Sequence, residues 1–293
     1  IGMSSVAVGA AANLLLDPLF IFVLGLGVEG AAIATVISQF LSAAFVLYFL
    51  MRKAELKVRL LRKYEFRGCF GYAKNIVSLG TAGFIMQLTN SLVTICCNNV
   101  LSVTGGDLYI SVMTIVSSIR QIIDTPIHAI TEGSSPVISY NYGARRPKRV
   151  FQSWLTMSVM AILYTLLAWG VILFAPRFLI GIFSSDQALI TDAIPALKLY
   201  FGAFVFQALQ YVGQTMFKSL GKKKFAIFFS LLRKVIIVVP LTYILPYLFH
   251  MGSDGVFLAE PVSNVLGGSA CFIVMLCTVM PELKRMAKEN SDC

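Results

Sequence analysis

The stretch from Asn13 to Thr35 reads NLLLDPLFIFVLGLGVEGAAIAT. It joins two apolar runs through a glycine-rich turn. Each run extends outward to about 20 residues, the length an α-helix needs to cross the hydrocarbon core of a bilayer. The pattern recurs along the chain. It predicts about eight spanning helices, over 4–24, 29–51, 78–103, 108–136, 150–175, 190–219, 225–249 and 255–280. The segments are too long and too weakly alternating for the strands of an outer-membrane barrel. Composition agrees: 57% of the 293 residues are hydrophobic and 13% are charged. A soluble domain carries roughly 25% charged residues, so most of this all-α integral membrane chain must face lipid or other helices.

The formal net charge is +10, but the basic residues do not form a nucleic-acid patch. They sit in short loops between apolar runs: Arg52, Lys53 and the basic residues on to Lys74 after the second run, Arg145, Arg146, Lys148 and Arg149 after the fourth, Lys218, Lys222, Lys223 and Lys224 after the sixth, and Lys284, Arg285 and Lys288 after the eighth. The alternate loops contribute Arg177 alone. By the positive-inside rule both ends of the chain are expected in the cytoplasm of a multi-pass cell-membrane protein. From Arg52 to Lys74, Leu56, Leu60 and Leu61 are interleaved with Lys57, Arg59, Arg62 and Lys63. That is the composition of a basic amphipathic helix lying on the membrane surface.

An internal repeat is visible. Gly27, Gly30, Ala34 and Ser38 follow Pro18; Gly252, Gly255, Ala259 and Ser263 follow Pro240 with the same spacing among themselves, after a loop three residues longer. Small residues at such intervals let helices approach closely, and transporters are commonly built from repeats. If the last helical pair ends a six-helix repeat, the first pair ends an equivalent one, and four helices are expected ahead of Ile1.

Polar groups at membrane depth are costly and are candidates for function. Asn13 and Asp17 share one helix face; Pro18 frees a carbonyl beside them; Thr35 lies about a turn into the next helix. Oxygen ligands of these kinds suit Na⁺, and the carboxylate could instead carry a proton. The rival reading is that Asn13 and Asp17 merely pair with other polar groups. A second set, Arg120, Asp124, His128 and Glu132, runs along the fourth helix as the wall of a cavity or as an ion-pair ladder. Gln207, Gln210 and Gln214 share one face of the sixth helix, Gln87 and Asn90 lie on the third, and Lys198 and Glu260 are further polar groups. Phe22, Tyr109, Met113, Phe204 and Tyr211 offer adaptable contacts for flat cations, or are simply packing and lipid-facing residues.

No enzyme signature is present. His128 and His250 give no metal spacing, the cysteines show no CxxC, and Gly221-Lys222 lacks the rest of a phosphate-binding loop. No cofactor is expected beyond a coupling ion.

The stretch Asn13–Thr35, together with PVISYNYGA at residues 136–144, resembles the multidrug and toxic compound extrusion (MATE) transporters, and the likeness runs along essentially the whole chain. It implies a twelve-helix fold of two lobes: the last two N-lobe helices in 1–51, a basic inter-lobe linker in 52–77, a six-helix C-lobe in 78–281 and a cytoplasmic tail in 282–293. In that family an Asn, an Asp and a Thr form a cation site in the N-lobe, and Asn13, Asp17 and Thr35 match those positions. The acidic residues that some members carry in the C-lobe are replaced by Asn90 and Gln207, which places coupling at the N-lobe site.

The resemblance implies a Na⁺- or H⁺-coupled antiporter that expels cationic or amphipathic compounds, works as a monomer among membrane lipids and binds no nucleic acid. Its cavity candidates are Gln87, Asn90, Arg120, Asp124, Gln207, Gln210 and Gln214. Two alternatives stand beside it. A flippase for lipid-linked sugars would need a strongly basic cavity, against which stand few intramembrane cations, chiefly Arg120 and Lys198. A membrane scaffold or receptor would bind ligand without flux.

Overall fold

The computed structural model describes residues 2–53 and 70–289. Among them the chain is helical nearly throughout, with no strand: α1 (Gly2–Pro18), α2 (Gly27–Arg52), α3 (Phe70–Thr104), α4 (Gly106–Gly143), α5 (Pro147–Phe174), α6 (Pro176–Gly181), α7 (Gln187–Tyr200), α8 (Phe204–Ser219), α9 (Lys223–Leu231), α10 (Val239–Tyr247), α11 (Gly252–Ser263) and α12 (Ser269–Glu289). Among the described residues five helical stretches are long and apolar enough to cross a membrane, or six if α7 and α8, bent by 49°, form one broken span. Most of the basic linker expected over 52–77 lies outside the described residues, but α3 already begins at Phe70. The expected tail is helical as far as Glu289, because Leu283 is buried and Glu282 is bonded to Tyr142 and Lys222.

The chain divides into two units, Ile1–Lys74 and Asn75–Cys293. The first is a helical hairpin of α1 and α2. Gly30, Ala34 and Ser38 form the buried face of α2. A Cβ on Gly30 would stand 2.7 Å from the Phe20 carbonyl oxygen, so the two backbones touch where the sequence places its small residues. The second unit repeats this local form between α10 and α11. Gly255, Ala259 and Ser263 are buried, and a Cβ on Gly255 would stand 2.8 Å from the Pro246 nitrogen. The turns match as well: Gly27 and Gly252 have φ of +54° and +55°. Leu26 N–H donates to the Phe20 carbonyl as Met251 N–H donates to that of Leu245.

Among the described residues the helical path widens into π turns at Leu19–Val23, Leu232–Val238 and Asn264–Gly268. Each lies close to a proline, at Pro18, Pro240 and Pro261 respectively. The ring removes an N–H and cannot accommodate the carbonyl four residues back, which displaces the regular ladder. π turns are frequent at functional positions.

The second unit has two apolar cores. One contains Leu101, Val116, Leu197, Phe201 and Phe257; the other contains Ile138, Met157, Val212, Phe217 and Met275. Several helices pass from one core to the other, and the change-over falls on polar residues. On α4 it lies between Ile123 and Ile127, at Asp124. On α8 it lies between Phe204 and Ala208, at Gln207. Between Phe229 and Val238 it includes Arg233 and Lys234, and between Phe257 and Cys271 it includes Glu260 and Asn264. A polar layer therefore crosses the middle of the unit. The outer surface carries large apolar side chains instead, such as Leu167, Phe174, Phe178 and Leu248, as lipid contact requires.

Candidate functional site

In the first unit the Asn13 amide donates to Asp17 Oδ1 at 3.1 Å, and both residues are half-buried. Four-residue spacing on α1 produces this contact, one residue before Pro18 and its π turn. Thr35 is exposed on α2 and gives its hydroxyl to the Ala31 carbonyl at 2.9 Å. The structure thus joins Asn13 to Asp17 and bonds Thr35 to its own helix.

The second unit contains a cavity of about 290 Å³, lined among others by Asn90, Arg120, Asp124, Arg233, Lys234 and Glu260. Glu260 is its hub. Arg120 Nη2 lies 2.8 Å from Glu260 Oε1, Arg233 Nη1 3.1 Å and Lys234 Nζ 3.1 Å. Arg233 also donates to Asn264, and Arg120 to the Tyr200 hydroxyl. Asp124 is a second node: Arg120 Nε is 3.1 Å away, and Gln207 Nε2 and the Tyr211 hydroxyl each donate to it at 3.3 Å. Three cations meet two carboxylates in surroundings where charge is weakly screened.

The cavity gathers some of the polar residues named from sequence. Arg120, Asp124, His128, Asn90 and Gln214 line it. Gln207 reaches it through Asp124, whereas Gln210 donates to the Phe229 carbonyl at 3.3 Å. Gln87 is exposed, and Glu132 leaves the stripe to pair with Lys218 at 3.2 Å. Met113 and Tyr211 line the cavity, Phe204 is fully buried in the core, and Phe22 is 80% exposed.

One expectation is corrected. Lys198 is exposed, but Arg233 and Lys234, both at least nine-tenths buried, add two cations to Arg120 at this depth. A single polar pair does not interrupt the mean hydropathy of a run of some 25 residues, so the sequence hides it. The available signal was Arg-Lys set inside LLRKVIIVV with no turn residue nearby.

The MatE family profile matches residues 83–244. Multidrug export protein MepA of Staphylococcus aureus (strain NCTC 8325 / PS 47) is 24% identical over 280 residues, covering 94% of this chain and 59% of that protein. MepA of Staphylococcus saprophyticus is 24% identical over 277 residues with the same coverage. The chain therefore spans about 59% of the length of these curated relatives. A MATE crystal structure in the bent conformation superposes with a TM-score of 0.83 at 22% identity, over 99% of this chain and 63% of that one. A MOP superfamily transporter from Pyrococcus furiosus Vc1, described as having a binding pocket of reverse polarity, superposes with a TM-score of 0.85 at 24% identity, over 97% and 63%. These likenesses establish the fold, and the profile covers more than half of the sequence. The chain belongs to the MatE family of multi-pass membrane transporters.

Proposed function

We propose that this chain serves a Na⁺- or H⁺-coupled antiporter that exports cationic or amphipathic compounds, with Asn13, Asp17 and Thr35 as the coupling site. The observation that carries this reading is the Asn13–Asp17 bond at 3.1 Å beside the Pro18 π turn. A carboxylate oriented by an amide on an apolar helix, next to loosened backbone carbonyls, is a suitable receptor for a small cation. Ion and substrate would each favour a different conformation, and that difference in affinity is what couples them. The named relatives are multidrug export proteins, which supports small-molecule cargo. We also infer eight spans, with both described ends on the cytoplasmic side, within a twelve-helix two-lobe protein.

The flippase reading called for a strongly basic cavity. The cavity described above exceeds neutrality by one charge, counting Arg120, Arg233 and Lys234 against Asp124 and Glu260, so export is retained.

The test is gradient-driven dye efflux from proteoliposomes. In the complete protein, Asp17→Asn is expected to abolish efflux while leaving the protein inserted. Unchanged efflux in the inserted variant rejects the site.

A further inference from the structure

We propose that the cavity around Arg233 and Lys234 is a binding subsite for an oxyanion, the carboxylate or phosphate of an amphipathic solute. This goes beyond the export reading and does not depend on the coupling site in the first unit.

Two cations here carry donors that have no acceptor among the described residues. Arg233 is 5% exposed, yet among the described residues only its Nη1 is engaged, by Glu260 and Asn264. Its Nε and Nη2 have no partner there. Lys234, 6% exposed, has three donors, and among the described residues its ammonium bonds Glu260 alone, at 3.1 and 3.4 Å. Glu260 is already shared with Arg120, so it cannot neutralise all three cations. Asp124 is occupied by Arg120, Gln207 and Tyr211. Arg233 and Lys234 line the cavity, so these spare donors open onto it, and charged donors at this depth are best matched by an anionic oxygen.

Arg233 is also held in place. A Cβ on Gly267 would come within 2.9 Å of Arg233 Cγ, so the glycine of the third π turn leaves just enough room for the arginine stem. A guanidinium held in this way offers two parallel N–H groups, a geometry that matches a carboxylate or phosphate. The cavity volume of about 290 Å³ admits a small aryl or short-chain solute. Its walls include Met113, Val238 and Val256, which suit an apolar body behind the anionic head.

The test uses three probes of nearly one shape. Benzoate, benzamide and benzamidine are titrated calorimetrically against the protein in phosphatidylcholine nanodiscs. Benzoate is expected to bind at least about tenfold more tightly than benzamide, a difference near 1.4 kcal/mol, and benzamidine least tightly. Equal binding of the three, or preference for benzamidine, overturns the proposal. Arg233→Gln should remove the benzoate preference. Glu260→Gln removes the competing carboxylate and should raise benzoate affinity several-fold, a gain that misfolding cannot imitate; unchanged affinity in a folded variant also overturns it. Repetition in equal parts phosphatidylcholine and phosphatidylglycerol identifies the source of the oxyanion. Competition by the anionic lipid assigns the site to a headgroup, and undiminished benzoate binding assigns it to a soluble solute.

Discussion

Arg120 Nη2 lies 2.8 Å from Glu260 Oε1 and ties α4 to α11 across the cavity, while Arg120 Nε holds Asp124 at 3.1 Å. Without Arg120, Glu260 keeps Arg233 and Lys234, but among the described residues Asp124 keeps only the neutral donors Gln207 and Tyr211, and a carboxylate left at this depth without its cation costs about 3–5 kcal/mol. Arg120→Met is expected to lower thermal stability in detergent by that order. The Glu132–Lys218 pair, with side chains 57% and 39% exposed, gives the contrast: Glu132→Gln should shift stability by less than about 1 kcal/mol. Equal losses in the two variants would show that the Arg120 pair is not desolvated.

The glycines at the hairpin crossings predict a second contrast. Gly30→Ala and Gly255→Ala each drive a Cβ to within 3 Å of backbone atoms, and such overpacking costs about 1–3 kcal/mol. Gly170, within α5, has open space around it. Gly170→Ala should keep or gain stability, by up to about 1 kcal/mol of helix propensity. Thermal melting of the three variants decides the matter.

His250 has φ +53° where the first hairpin has Gly25 at φ +66°. The left-handed region costs an ordinary residue roughly 1–2 kcal/mol, and glycine gives some of that back as lost chain entropy. His250→Gly is expected to hold stability level or raise it by up to about 1 kcal/mol. His250→Val should lower it, since a branched side chain tolerates this conformation worst. Chemical denaturation of both variants measures the difference.

At the other end of the second unit the Tyr142 hydroxyl donates to Glu282 Oε1, and the Lys222 ammonium holds Oε2. One carboxylate thus joins the end of α4, the turn before α9, and α12. Tyr142→Phe and Lys222→Met should interact in a double-mutant cycle by about 0.5–3 kcal/mol, read from melting temperatures. Additive losses would mean that the two contacts act independently.

Much of this architecture is readable before any coordinates exist. The spacing from Gly27 to Ser38 and from Gly252 to Ser263 encodes two crossings, because only small residues let backbones meet there, and both crossings are observed. The Arg120–Asp124 pair also follows from spacing, since a helix puts four-apart residues together. What cannot be read is anything decided between distant segments. Glu260 is recognisable as a membrane-depth acid, but its partnership with Arg233, Lys234 and Arg120 is a product of packing among three elements. The break between α7 and α8 falls at Phe201–Ala203, where Gly202 interrupts an otherwise apolar run; continuous hydropathy concealed it. Charge near Arg233 was likewise masked by apolar neighbours on both sides.

The two hairpins share their turn conformation, their glycine crossings and their small-residue face, and yet five positions beyond the crossing glycine one has Thr35 and the other Glu260. A neutral hydroxyl occupies the place in one copy that an acid surrounded by bases occupies in the other. The repeated hairpin is in this sense a mould with one interchangeable slot: the same backbone form presents a neutral hydroxyl in one copy and an ionised carboxylate in the other.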